Sequence, residues 1–278
     1  MATGWAMAAS LLPYEPWIRL GCFLAVFALV ALAEALAPRR PWRCGRVRRW
    51  PANLLLVALD TLVLRLVFPG AAVLVAAQAE AAGQGLLPRF GGLLPLPEWA
   101  WIAATVVVLD LAIYLQHCLF HAVPLLWRLH RVHHADPDFD VSTALRFHPL
   151  EILLSLAYKS LWILALGLPP AGVLLFEVVL NATAMFNHGN LRLPPRWDAV
   201  LRLFIVTPDQ HRVHHSVRAE ETNSNYGFNL PWWDRLGGTY RAAPQGGHQA
   251  MAVGQAGLRV PEDCVPLAAL LLLPFRRQ

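Results

Sequence analysis

Residues 99–134 read WAWIAATVVVLDLAIYLQHCLFHAVPLLWRLHRVHH, an apolar run that passes directly into five histidines. The part from Trp99 to Leu119 is long enough to cross a bilayer, which takes about 20 apolar residues in a helix. At its end stands His117-x-x-x-His121, followed by His130-x-x-His133-His134. Residues three and four apart share one face of a helix, so each group aims two or three imidazoles at one point. The triplet returns at His211-x-x-His214-His215, so eight of the eleven histidines fall into three groups. Core packing gives no reason for that register. The spacing expects a metal site where membrane helices end.

Composition agrees with a membrane setting. The chain is 56% hydrophobic, has mean hydropathy +0.44 and is 15% charged, against roughly 25% charged in soluble domains. Trp17 to Ala37 and Leu54 to Ala77 are two further spans, and the first is expected to be retained because no basic n-region precedes it. Between them, Pro38 to Pro51 carries Arg39, Arg40, Arg43, Arg46, Arg48 and Arg49, whereas Gln78 to Glu98 has only Arg89. The positive-inside rule puts the arginine loop in the cytoplasm, and with it the end of the third span that carries His117 and His121. The net charge of +5 therefore reflects topology, and no nucleic-acid partner is expected. Lys159 stands alone against many arginines, a bias of GC-rich and hence bacterial genomes, so the inner membrane is the expected location.

Beyond the first triplet, Ile152 to Leu168 and Gly172 to Phe186 are each short for a span and are separated by Pro169-Pro170. The two HxxHH triplets must lie on one side to share a site, so this block is expected to be a helical hairpin turning at the prolines. From Leu191 onward the chain is mostly polar and is expected to be cytoplasmic, with Val265 to Phe275 in the interface or packed on the cap. The expected fold is all-α: an integral membrane bundle of about three spans plus a hairpin, with a cytoplasmic histidine-rich helical cap. It divides into a membrane region with its arginine loop (1–100), a catalytic region (101–242) and a tail (243–278). Cys22, Cys44, Cys118 and Cys264 lie far apart with no CxxC pairing and read as unpaired thiols.

The candidate ligands are His117, His121, His130, His133, His134, His211, His214 and His215, joined by His188 at the end of the hairpin. His148, between Arg146 and Glu151, is either a tenth ligand or a partner that orients a ligand ring, while His248 in a Gly-rich loop is excluded. One zinc takes four ligands, so this many imidazoles suit two metals of higher coordination number; imidazole alone does not choose among zinc, copper, iron and nickel. Glu151, Arg146, Asp209, Asn190 and Asn225 are candidates to hold ligand rings, as are Asn223, Asp136, Asp138 and Asp140. Asp60, Arg65, Asp110, Lys159 and Glu177 lie in apolar stretches, where charge is costly, and are expected to face the bundle.

From Asp110 to Tyr240 the chain resembles the membrane-bound fatty acid hydroxylase and sterol desaturase superfamily. The resemblance rests on ordered blocks: His130 to His134 through Glu151, Asn187-His188-Gly189-Asn190, Thr207 to His215, Asn225-Tyr226-Gly227 and Trp233-Asp234-Arg235. It implies two non-haem iron ions, molecular oxygen as oxidant, and hydroxylation or desaturation at an unactivated C–H bond of a lipid. Two departures stand out. Leu236 is followed by Gly237-Gly238 where many relatives have Phe before Gly, and Thr183 and Ala184 occupy a place where some relatives carry a further histidine.

The absence of a GxGxxG fingerprint and of a fused cytochrome motif points to a separate electron donor: a ferredoxin, cytochrome or reductase. Arg192, Arg196, Arg202, Arg212 and Arg218 offer a basic surface for such an acidic carrier, or equally for anionic lipid headgroups. Two rival classes are a zinc membrane hydrolase, which normally adds an acidic base as in HExxH, and a histidine-rich metal transporter or haem-carrying conduit, which would place histidines along its spans. Neither pattern occurs here. The substrate stays open among sterol, fatty acyl chain, carotenoid, ether lipid and sphingoid base.

Overall fold

Proline sets where these helices begin. It fixes φ and lacks the N–H that a first helical turn leaves unpaired, and it occupies the opening positions of helices along the whole chain. The computed structural model describes residues 12–68, 71–90 and 96–276. Parts of the expected N-terminal region (1–11, 69–70 and 91–95) and the last two residues of the tail lie outside them.

The helices up to the hairpin are α1 (Glu15–Leu36), α2 (Arg46–Val67), α3 (Ala71–Ala81), the single-turn α4 (Leu86–Phe90), α5 (Glu98–Ala122), α6 (Pro124–His134), α7 (Pro149–Leu166) and α8 (Pro170–Asn187). Short ones follow: α9 (Pro195–Leu201), α10 (Pro208–His214), α11 (Ala219–Thr222), α12 (Trp232–Leu236), α13 (Gly247–Ala250), α14 (Pro261–Cys264) and α15 (Leu267–Leu272). Among the described residues there is no strand, only isolated bridges between Pro38 and Leu191 and between Ser216 and Val253.

Among the described residues, five stretches are long and apolar enough to cross a membrane: Leu12–Leu36, Arg46–Arg89 (which takes in α2, α3 and most of α4), Glu98–Ala122, Pro149–Leu166 and Pro170–Asn187. Their outer faces are apolar, with Leu20, Leu24, Leu29, Leu32, Leu62, Leu66, Leu161 and Leu164 exposed. Surfaces of this kind need lipid around them. The protein is an integral membrane helical bundle.

The second span departs from the expected Leu54 to Ala77. Helix α2 starts at Arg46, inside the arginine-rich stretch, and stops at Val67, with Phe68 extended at φ −143°, ψ 81°. Phe68 precedes a proline in sequence, which disfavours the helical conformation. The early start has an electrostatic cause. The guanidinium of Arg49 is fully buried and donates to Asp136 at 2.6 and 2.8 Å and to Asp140 at 2.7 Å, while Arg46 donates to the buried Glu34 at 2.8 Å.

The hairpin is present. Helix α7 ends at Gly167, whose φ of +70° suits glycine, and α8 starts after Pro169. The turn also needs glycine for space: a Cβ on the neighbouring Gly85 would lie 2.2 Å from the Gly167 nitrogen. Helices α1, α3 and α5 pack on α8, and α7 packs on α2, α3 and α5, over a core that includes Leu109, Ile113, Leu156, Ile163, Val173 and Phe176.

Val265 to Phe275 packs on the cap: Val265, Leu270 and Leu273 join Ala52, Leu56, Val132 and Ala135 in a second core. All four cysteines are free. The charges inside the spans mostly have partners. Glu177 accepts from Lys159 at 2.6 Å and from Arg19 at 2.7 Å, and Asp110 accepts from the 229–233 segment.

Candidate metal centre

Helices α5, α6, α8 and α10 end close together, and each delivers histidines from its last turns. The side chains collect into two groups. His117, His121, His130, His134 and His214 form one, and His133, His188, His211 and His215 the other; within each group the ligand nitrogens lie within 4.8 Å of one another. Both groups are buried except for the half-buried His121, which sits against Trp127 with ring centroids 4.9 Å apart.

The protonation pattern can be read from the outer nitrogens. A carbonyl oxygen only accepts, so the Nδ1 of His117 donates to Tyr226 at 2.7 Å, that of His188 to Ala184 at 2.7 Å, and that of His214 to Ser224 at 2.8 Å. The Nδ1 of His130 is 2.6 Å from a carboxylate oxygen of Glu151, and that of His121 is 3.3 Å from Asn223 Oδ1. Each such neutral ring turns a bare Nε2 inward.

Those inner nitrogens face one another. His117 Nε2 is 3.0 Å from His130 Nε2, and His188 Nε2 is 3.1 Å from both His133 Nε2 and His211 Nε2. The inner nitrogen of His214, the Nε2 of His215 and both nitrogens of His134 are buried with no hydrogen-bond partner. Protonation does not resolve this, because burial holds His130 and His188 down to about 3 and keeps His133, His134, His211, His214 and His215 well below the usual imidazole range, with the neighbouring imidazoles pushing most of them further. Uncharged rings with converging lone pairs suit a cation. The residues therefore fit metal ions, and the donor set accepts iron.

The other sequence candidates take varied places. His148 is brought to neither group; its Nδ1 accepts from Leu150 N at 3.2 Å, capping α7, and its Nε2 lies 3.3 Å from Leu271 O. Glu151 touches a grouped histidine. Arg146 holds the α6 backbone through Val132 O at 2.9 Å, Asn190 clasps Arg40, and Asn225, at φ +52°, bridges Gln210 and Arg241. Asp209 binds Arg39, at 3.1 Å, and Arg212. It reaches the site only through the Arg212 guanidinium, 5.1 Å above the Phe139 ring that stacks on His188. Arg212 is fully buried and so is no part of a basic docking surface.

Asp136, Asp138 and Asp140 hold no histidine. Burial would raise the Asp136 carboxyl, but Arg49 and Arg146 bring it down to about 2, and Asp138 accepts the backbone N–H groups of Arg43, Cys44 and Gly45 at 2.6, 2.8 and 3.1 Å. Sequence reasoning missed Glu34, which accepts Val141 N and Asn190 N, both at 2.7 Å, and so ties the loops after α6 and α8 to α1. The one available signal was a lone acid near the end of an apolar run. The carbonyl partners of His117, His188 and His214 carry no side-chain signal at all.

A sequence profile described as fatty acid hydroxylase matches residues 102–239. Ornithine lipid hydroxylase OlsE of Rhizobium tropici is 30% identical over 231 residues, covering 80% of this chain and 67% of that protein. The chain belongs to the fatty acid hydroxylase family. Alkylglycerol monooxygenase of Homo sapiens is 32% identical over 151 residues, 52% of this chain but 31% of that protein, and cholesterol 25-hydroxylase of Rattus norvegicus is 29% identical over 170 residues, 59% and 54%. The match with alkylglycerol monooxygenase thus spans about a third of that longer protein. No solved structure matches the chain. Family membership gives the chain the context of iron-dependent lipid hydroxylation, and the two histidine groups are placed so that they could hold metal.

Proposed function

We propose that this protein is a di-iron lipid hydroxylase. The observation that carries the reading is the pair of buried imidazole groups whose unprotonated nitrogens converge. His117, His121, His130, His134 and His214 would hold one iron, and His133, His188, His211 and His215 the other. When bound, the iron pair supplies the redox chemistry by which molecular oxygen and two external electrons oxidise an unactivated C–H bond.

The chain's own residues prepare the place. Carbonyls of Tyr226, Ala184 and Ser224 and the carboxylate of Glu151 fix ring orientation and tautomer. Phe139, Phe147 and Phe228 lie against the histidines, with Phe147 stacked on His133 at 4.5 Å and Phe228 5.0 Å from His117. This wall keeps water from the reacting carbon and accepts a hydrocarbon chain. The relatives named for ornithine lipid, alkylglycerol and cholesterol support a lipid substrate and favour an alcohol over an alkene as product.

Electrons come from a separate protein. The arginines near the metal-centre end support a cytoplasmic site, and we assign the protein to a bacterial inner membrane. A zinc hydrolase is not favoured, since no HExxH occurs and no carboxylate joins either group; a transporter is not favoured, since the histidines gather at one end of the spans.

The test is labelled dioxygen. Iron-loaded protein in lipid vesicles, given a reductase system and lipid, is expected to yield a lipid alcohol with one labelled oxygen. Product oxygen drawn only from water, or turnover without dioxygen, would overturn the reading.

A further inference from the structure

Beyond Leu191 the sequence is polar enough to suggest a water-facing cap, yet part of it runs alongside the middle of a span. Four residues on one face of α5 mark its course. Asn223 lies beside His121, Tyr226 beside His117, Thr239 beside Tyr114 at 3.1 Å, and the 229–233 segment beside Asp110. Asp110 is about three helical turns, or ~16 Å, from His121. A crossing counted from Glu98 needs about 20 residues, so Asp110 lies at hydrocarbon depth, and so does the non-helical backbone packed on it.

Backbone at that depth has to be satisfied by protein, and here it is. Asp110 accepts Asn229 N at 3.2 Å, Leu230 N at 3.1 Å and the Trp233 indole at 2.8 Å. Asp234 accepts Tyr226 N at 2.7 Å and Gly227 N at 2.9 Å, and Val206 N donates to Asn229 O at 2.9 Å. Gly237, one of the departures from the family pattern, allows the close approach: a Cβ there would sit 2.3 Å from the Tyr114 hydroxyl.

This segment is joined to the one after α8. Trp232 Nε1 donates to Leu203 O at 2.7 Å and Arg235 to Arg202 O at 3.2 Å. Together they expose Trp197 (64%), Phe204 (58%) and Leu236 (79%), with Val200, Leu203 and Trp232 also exposed, none of them within the five spans. So large an apolar patch has no reason to face water. Arg196 and Arg235 are exposed within it and Arg192 beside it.

We propose that residues 195–205 and 229–237 form a surface embedded in the bilayer leaflet at the metal-centre end. Trp197, Phe204 and Leu236 enter the acyl chains, and Arg192, Arg196 and Arg235 meet anionic headgroups, their long stems letting the charge reach the interface. The proposal rests on α5 crossing the membrane and is independent of which lipid is oxidised.

Nitroxide labels at Trp197→Cys, Phe204→Cys and Leu236→Cys, in full-length protein with Cys22, Cys44, Cys118 and Cys264 replaced by Ser, test it in vesicles of phosphatidylcholine and phosphatidylglycerol. Dioxygen should relax these labels several-fold more than a water-soluble nickel chelate does, and the order should reverse at Glu220→Cys on the exposed polar side. Nickel access equal to that at Glu220→Cys, or shielding from both reagents by a second copy or a protein partner, would overturn the proposal. The unmodified chain gives a second reading. Phosphatidylglycerol with a photoactivatable acyl chain should label peptides covering 195–205 and 229–237; label confined to the five spans would contradict it.

Discussion

A histidine becomes a metal ligand through what its other nitrogen does. Among the described residues, Glu151 is the one carboxylate hydrogen-bonded to a grouped histidine, 2.6 Å from His130 Nδ1, and it fixes both the ring angle and the basicity of the inner nitrogen. Outer partners of this kind typically change affinity or activity by about 10–100-fold when removed. Glu151→Ala is expected to weaken ferrous iron binding within that range and Glu151→Gln by less, since an amide oxygen still accepts. Chelator competition measures both, and an unchanged affinity in Glu151→Ala would show that the contact does not tune the site. The same logic explains where sequence stopped. The eight grouped histidines were legible because their spacing matches the helical period, and His188 because of its place after the hairpin. For His148 the sequence left two roles open, tenth ligand or partner to a ligand ring, yet its ring caps α7, a role decided by the local backbone conformation.

At the scale of elements, the loop after α6 and the start of α2 are held together by one guanidinium. Arg49 is fully buried between Asp136 and Asp140, so Arg49→Met would leave the buried Asp140 without its counter-charge and Asp136 with only Arg146, 3.9 Å away. Removing one partner of a buried pair costs about 3–5 kcal/mol. Unfolding in detergent should show a loss of that order, with Arg49→Lys between the variants because an ammonium cannot bind both acids as a fork; a Met variant as stable as the parent would make the clasp incidental. The helices and the hairpin turn were readable in the chain because apolar length and the Pro169-Pro170 break are local signals. The clasp was not, because arginines spaced along a loop read as topology, and nothing local says that one of them will find acids some 90 residues away. The course of residues 229–233 along α5 was hidden for the same reason: Asp110 looked like an isolated costly charge until its three donors were known.

The whole molecule is a bundle with its histidine groups at one end, and both HxxHH triplets meet there because α7 and α8 run out and back. Reporters fused after Asp138 and after Arg218 are therefore expected on the same side, the cytoplasmic one, with a fusion near Gly85 on the opposite side. Opposite readings for the first two would break the shared site. The two-metal claim is tested most directly by anaerobic titration of metal-free protein with ferrous iron. The account expects an end point at two iron ions per chain, falling when His133 or His214 is replaced by alanine. An end point at one, or uptake indifferent to both substitutions, would contradict it.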